Sequence, residues 1–242
     1  VGHGLAVLVE TRSHTLLYDA GAVYRSGFDT GREIVLPAMR ANSWETLDRV
    51  VVSHADNDHA GGIPAVLESF PDAQVLMGPD VELPGGEICR TGQAWTWDEV
   101  RFEVLHPDPA IHRRGNDSSC VLKITTWAGS LLLTGDVEAA GERALMAHAE
   151  SLASDIVVVP HHGSATSSST ALVSATAADH ALVSAGYLNH WGFPKPQVAQ
   201  RWQDAGAVMA TTGDAGAVRV ILEPGKPVQV QGQRARQRRY WN

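Results

Sequence analysis

The sequence predicts a single α/β (α+β) domain built on a mixed sheet, and three observations carry that prediction. Apolar runs of strand length recur along the whole chain. Segments of helical periodicity separate the later runs, whereas the early ones come nearly back to back, as hairpins do. A chain of 242 residues with 44% hydrophobic content can bury a full core, and folds of this class are routinely single domains at this length.

Taken in order, "LAVLVET", "TLLYD", "RVVVS" and "AQVLM" read as strands, followed by "VRFEVL", "CVLKITT", "SLLLTG", "DIVVVP", "HALVSA", "AVMATT" and "AVRVIL". Between them, "AGGIPAVLESF" places Ile63, Val66, Leu67 and Phe70 on one helical face. "EAAGERALMAHA" does the same with Ala140, Ala144, Leu145 and His148. "STALVSATAA" and "PKPQVAQRWQDAG" follow, the second with proline near its start and Gly206 after its end. Residues 1–232 read as one domain, and 233–242 as a basic tail carrying Arg234, Arg236, Arg238 and Arg239. The start "VGHGLAVLVE" has no basic region or signal cleavage site, and its abruptness reads as a fragment cut from something longer. Cys89 and Cys120 are open to pairing or not. A net charge of −8 argues against a broadly basic nucleic-acid surface.

The chemically loaded residues fall at one kind of place. "TLLYD" ends in Asp19, "RVVVS" runs into His54, "SLLLTG" into Asp136, and "DIVVVP" into His161 and His162. Ligands in α/β sheets gather outside the carboxyl ends of strands. For Asp19 or Asp136 alone, a turn or helix cap explains the residue as well. The joint pattern points to a metal, because imidazole and carboxylate are the ligands of zinc and of harder divalent ions. In "HADNDH", His54 and Asp56 alternate along a loop and reach one ion. Asp58 and His59 follow at a helix start and point to a neighbouring position.

These residues resemble the metallo-β-lactamase-fold hydrolases, whose signature is H-x-H-x-D-H after a strand, an Asp after a later "LLTG"-like strand, and a late His. In order, "VGHGLAVLVE", "LLYDAG", "SHADNDHAGG", "GNDSSCVLKI", "LLLTGDVE" and "VVVPHHGS" are similar to the C-terminal domain of the ComEC family of DNA-uptake channel proteins, over nearly the whole chain. The resemblance implies a four-layer αββα sandwich. It places His54 and Asp56 on one metal, Asp58 and His59 on the other, and Asp136 between them. His162 matches the late ligand, and His161 becomes a neighbour touching substrate or the other metal. Asp19 looks like a buried residue that orients the histidine loop.

The chain departs from the family in places. Asp56 stands where the signature has its second His. The family's middle His falls near Asn116 and Asp117, which leaves that site poorer in nitrogen and favours harder ions such as manganese or magnesium over zinc. Phe193 in "NHWGFP" cannot act as acid or ligand, and His190 reads either as its substitute or as a solvated loop histidine. Arg113 and Arg114 sit beside this loop and suit phosphate contact or plain solvation. The hydroxyls of "SATSSST", beginning at Ser164, suit phosphate contact or helix capping. Trp95, Trp97 and Trp127 read as core or sheet-face residues, while Trp191 is open to base stacking.

The function expected is a metal-dependent phosphodiesterase, a nuclease degrading DNA during uptake, with one or two divalent ions (manganese or zinc, with magnesium admissible). The mechanism implied is in-line attack of water on a phosphodiester, with Asp136 at the metals and Asp58 or His162 assisting proton transfer. The expected partners are single-stranded DNA and the rest of a membrane-embedded channel, on the periplasmic side of a bacterial inner membrane. Two rivals stay open: a hydrolase of a small ester or non-nucleic phosphodiester, and a non-catalytic DNA- or channel-binding module with a degenerate metal site.

Overall fold

The computed structural model describes residues 2–108 and 114–236. One sheet holds β1 (Val7–Glu10), β2 (Thr15–Tyr18), β3 (Arg49–Val52), β4 (Gln74–Met77) and β5 (Glu87–Ile88), in that order. The second holds seven strands: β6 (Ala94–Trp97), β7 (Val100–His106), β8 (Val121–Thr126), β9 (Gly129–Leu133), β10 (Ile156–Val158), β11 (His180–Val183) and β12 (Val208–Thr211). These seven also lie side by side in chain order. Its first four strands are antiparallel neighbours, and β9 to β12 run parallel. A hairpin of β13 (Val218–Ile221) and β14 (Gln229–Gly232) stands apart.

Side-chain alternation along single strands builds the layers. In β3, Val51 packs between the sheets with Leu16, Tyr18, Phe102, Leu122 and Leu133. Val50 and Val52 point the other way, onto α1 (Leu36–Ala41) and α3 (Ile63–Ser69), against Leu36, Met39, Ile63 and Val66. A one-turn helix, α2 (Asn57–Ala60), precedes α3. In β9, Leu133 faces the first sheet while Leu132 faces α4 (Ala139–Leu145), α5 (Thr170–Thr176) and α6 (Pro196–Asp204), packing with Leu145, Leu172, Val198 and Trp202. The result is the four-layer αββα sandwich. Two short helices, α7 (Thr212–Ala215) and α8 (Gln233–Arg236), follow β12 and β14.

Several expectations need correction. The early strands are not all hairpins: only β1–β2 is antiparallel, and β2, β3 and β4 run parallel. The helical stretch before β3, a π-helical turn at Gly31–Val35 that runs on into α1, is not among the helices the sequence predicts. Trp127 is 86% exposed at the β8–β9 turn, not in the core. His148 lies in a kinked turn after α4, off the helical face expected for it. The first residues of the basic tail form α8, where Arg234 donates to the carbonyls of Gly213 and Asp214.

Candidate metal centre

Five strands deliver polar residues to one end of the sandwich. Asp19 follows β2, Ser53 and His54 follow β3, Asp136 follows β9, His161 and His162 follow β10, and Ser184 follows β11. The two sheets are tied there, since the Cys120 amide donates to the Ser53 carbonyl at 2.8 Å. Close packing brings the chain after β2 against the ligand loop. The Ala20 amide donates to the His59 carbonyl at 2.9 Å, and a side chain on Gly62 would collide with the Ala20 carbonyl.

Around this end the side chains converge. His59 Nε2 lies 3.1 Å from Asp136 Oδ1 and 3.2 Å from His162 Nε2. His162 Nε2 lies 3.3 Å from Asp58 Oδ2 and 3.5 Å from Asp136 Oδ2. Donor atoms of His54, His59 and Asp136 form one group and those of His3, Asp58 and His162 another, each within 4.8 Å of one another. Asp58, His59, Asp136 and His162 therefore share a focus. His59 groups with His54 rather than with Asp58 alone, which differs from the expected division. His3 was not anticipated; it lies outside the histidine motif and only the fold brings it in.

The far sides of His54, His59 and His162 are engaged. His59 Nδ1 is 2.7 Å from Asp19 Oδ2, and His162 Nδ1 is 2.7 Å from the Ser184 carbonyl. Ser53 Oγ donates to Asp19 at 2.7 Å, which leaves its oxygen to accept from His54 Nδ1 at 2.9 Å. These bonds turn the Nε2 edge of each of the three rings inward. His54 Nε2 is buried with no hydrogen-bond partner.

The charges agree. Burial disfavours ionisation of Asp136, yet His59, His162 and His54 hold it well below the carboxylate range. Burial likewise opposes a charged His59, but Asp136 and Asp19 push it well above its ordinary value. Burial alone would raise Asp58; the hydrogen bond from His162 and the charges of His59 and His162 bring it down to about 2. For His3, burial and the nearby His162 lower the imidazole to about 4. The pocket thus calls for positive charge between its nitrogens.

A divalent metal fits this donor set: two Nε2 atoms face each other at 3.2 Å between carboxylates, an arrangement that repels unless a proton or cation intervenes. His54, His59, His162, Asp58 and Asp136 would hold it.

The remaining expected residues lie as follows. Asp56 is 60% exposed, its carboxylate 3.7 Å from His54 Nε2 at the rim. Asp117 is turned away: its Oδ1 accepts from the amides of Glu138 and Gly141 and caps the start of α4. Asn116 sits beside it in a 3₁₀ turn, Gly115–Ser118, and Asp117 is not among the grouped donors. The residue of this loop that reaches the site is Ser119, whose hydroxyl is 3.5 Å from His54 Nδ1 and accepts from the Asp136 amide. His161 Nδ1 pairs with Glu138 at 3.0 Å, and its Nε2 is 3.9 Å from Asp136. Ser164 is buried and bonds Thr166, which in turn donates to Glu138. His190 stacks on Trp191, Trp191 on His3, and His3 packs on His162, so His190 is two rings removed from the centre. Arg114 is exposed, and Arg113 lies outside the described residues. With Asp117 committed elsewhere and His3 present, the centre is richer in nitrogen than the sequence implied.

A profile of the metallo-beta-lactamase superfamily matches residues 1–187. The chain belongs to this superfamily. As a metallo-β-lactamase-superfamily hydrolase, it has relatives named for competence. It is 36% identical to "Competence protein ComA" of Neisseria gonorrhoeae, over 99% of this chain and 34% of that protein. It is also 36% identical to "Recombination protein 2" of Haemophilus influenzae, over 91% of this chain and 28% of that protein. The chain thus spans about a third of the length of these relatives. The metallo-β-lactamase-fold protein YhfI of Bacillus subtilis shares the fold, with a TM-score of 0.52 and 14% identity over 85% of this chain and 87% of that one. Among the described residues no helix is long and apolar enough to cross a membrane.

Proposed function

We propose that this superfamily hydrolase is a metal-dependent phosphodiesterase that degrades DNA during uptake. The observation that carries the reading is the convergence of His54, His59, His162, Asp58 and Asp136, with inward-facing nitrogens and one carboxylate, Asp136, reaching both His59 and His162. A divalent cation held there would lower the pKa of an attacking water and neutralise charge on phosphoryl oxygens.

The chain's own residues complete the chemistry. Asp58, 3.3 Å from His162 Nε2 and among the grouped donors, serves as a ligand. His162, with Nδ1 held by the Ser184 carbonyl, would spend its inward Nε2 on the cation. That leaves His161, half-buried at the rim with Nδ1 on Glu138, as the group placed to pass a proton from Nε2 to the leaving oxygen. Ser164 and Thr166 act through Glu138, fixing its carboxylate.

Exposed aromatics at the rim support a nucleic-acid substrate. Tyr187 and Trp191 stand on the loop after β11, and Tyr24 and Phe28 stand on the loop after β2. The Gly2–His3 segment joins the two: a Cβ on Gly2 would meet the Tyr24 hydroxyl at 2.7 Å, and one on Gly186 the Gly2 carbonyl at 3.2 Å. Bases of a single strand have such flat faces to offer, which a small ester lacks. The disulfide between Cys89 and Cys120 favours an oxidising compartment, the periplasmic side, for a domain attached to a membrane channel. Mixed nitrogen and oxygen donors suit zinc as well as manganese.

The test is cleavage of labelled single-stranded and duplex DNA beside a small chromogenic diester, by chelated protein reloaded with manganese or zinc. Metal-dependent cleavage of DNA supports the reading. Turnover of the small diester with none on DNA would favour a small-molecule hydrolase.

A further inference from the structure

The segment Gly2–Leu5 is held firmly against the ligand loop. The Leu5 amide donates to the Asp58 carbonyl at 3.0 Å, and the Leu5 side chain is buried. A Cβ on Gly4 would meet that same carbonyl at 2.5 Å, so only glycine allows the approach. Ser184, whose carbonyl holds His162, donates its hydroxyl to the Gly4 carbonyl at 2.9 Å. One backbone stretch is thus stitched both to the loop that carries Asp58 and to the residue behind His162.

This clamp presents His3. Its ring packs 4.3 Å from His162 on one side and is stacked 4.3 Å from Trp191 on the other. Its Nδ1 is buried without a hydrogen-bond partner. A ring nitrogen of His3, one of His162 and a carboxylate oxygen of Asp58 lie within 4.8 Å of one another. An imidazole serving only as a stacking spacer would not need to bring a nitrogen to a carboxylate and a second imidazole.

We infer that His3 is a metal ligand, completing with Asp58 and His162 a second cation subsite beside the one formed by His54, His59 and Asp136. The inference rests on reading this site as a metal centre. It accounts for the nitrogen that the loop at Asn116 and Asp117 does not supply, since the missing donor enters from the opposite end of the chain. Two imidazoles and a carboxylate suit zinc or manganese, with open positions left for water or a phosphate oxygen.

The experiment is a calorimetric titration of chelated protein with manganese chloride, checked by elemental analysis, on the wild type, His3→Phe and His3→Gln. Phenylalanine keeps the stack between His162 and Trp191 and removes the nitrogen; glutamine carries the test should phenylalanine disturb folding, which unfolding in chelator reports. The wild type is expected to take up two equivalents. Both variants should lose the second or bind it at least about tenfold more weakly, the scale on which even the hydrogen-bond partners of ligands act. Stoichiometry and affinity unchanged in either folded variant would overturn the inference, as would loss of both ions together. A wild type that binds no metal at all would instead overturn the metal-centre reading itself.

Discussion

His59 Nδ1 stands 2.7 Å from Asp19 Oδ2, both side chains fully buried, and this pair fixes which nitrogen of His59 faces the site. Asp19 also accepts from the Ser53 amide and hydroxyl, each at 2.7 Å, so its carboxylate is locked from three sides. Its backbone is left-handed, at φ +57, as are His161 and His162 at +49 and +54. Such conformations cost about 1–3 kcal/mol each and persist only where surrounding contacts impose them.

Asp19→Asn tests this arrangement. Asparagine tolerates the left-handed backbone, so the fold should survive. Its amide, however, can turn a donor toward His59 and disfavour the tautomer that leaves Nε2 free. Metal affinity should fall about 10- to 100-fold. A titration showing wild-type affinity would mean that Asp19 is structural only.

Acid should unfold the chelated domain for an identifiable reason. Asp58 titrates at about 2 in the fold against an ordinary 3.8, and Asp56 and Asp136 shift the same way. A carboxylate depressed on folding stabilises the native state above its ordinary value, and that contribution is lost as pH falls from 3.8 toward 2. The melting temperature of metal-free protein should therefore drop through that window, and less steeply in Asp58→Asn. Equal slopes in the two proteins would count against the assignment.

Much of this was legible in the sequence because strands announce their ends. Apolar runs closing on Asp19, His54, Asp136 and His162 revealed both the sheet and the site. The strands that escaped, β5, β6 and β14, are short or polar and carry no apolar run. The role of Asp117 was not legible because the sequence cannot tell a carboxylate that caps α4 from one that faces a metal. His3 stayed hidden for the opposite reason: no spacing within a chain shows that residue 3 will lie against residue 162.

The bond between Cys89 and Cys120 bridges 31 residues and ends beside the Ser119 loop. Closing a loop of that size stabilises by about 3–4 kcal/mol on the chain-entropy account. Reduction, or Cys89→Ser with Cys120→Ser, should lower the melting temperature substantially. An unchanged melting temperature would show that the bridge contributes nothing in solution.

The rim aromatics should matter for long substrates. Replacing Tyr187 and Trp191 with alanine should weaken single-strand binding by about 1–3 kcal/mol per lost stack. Fluorescence anisotropy with a labelled oligonucleotide measures this. Unaltered affinity in the double variant would remove the aromatic loop from substrate recognition.

The central claim, that these ligands hold the metal that cleaves DNA, is tested most directly at Asp136, whose carboxylate reaches both His59 and His162. The measurement is bound metal and single-strand cleavage on the same samples of wild type and Asp136→Ala. The variant should fold and have lost most of its metal and nearly all of its cleavage. A variant that keeps full cleavage, or a wild type whose cleavage survives chelation, would contradict it.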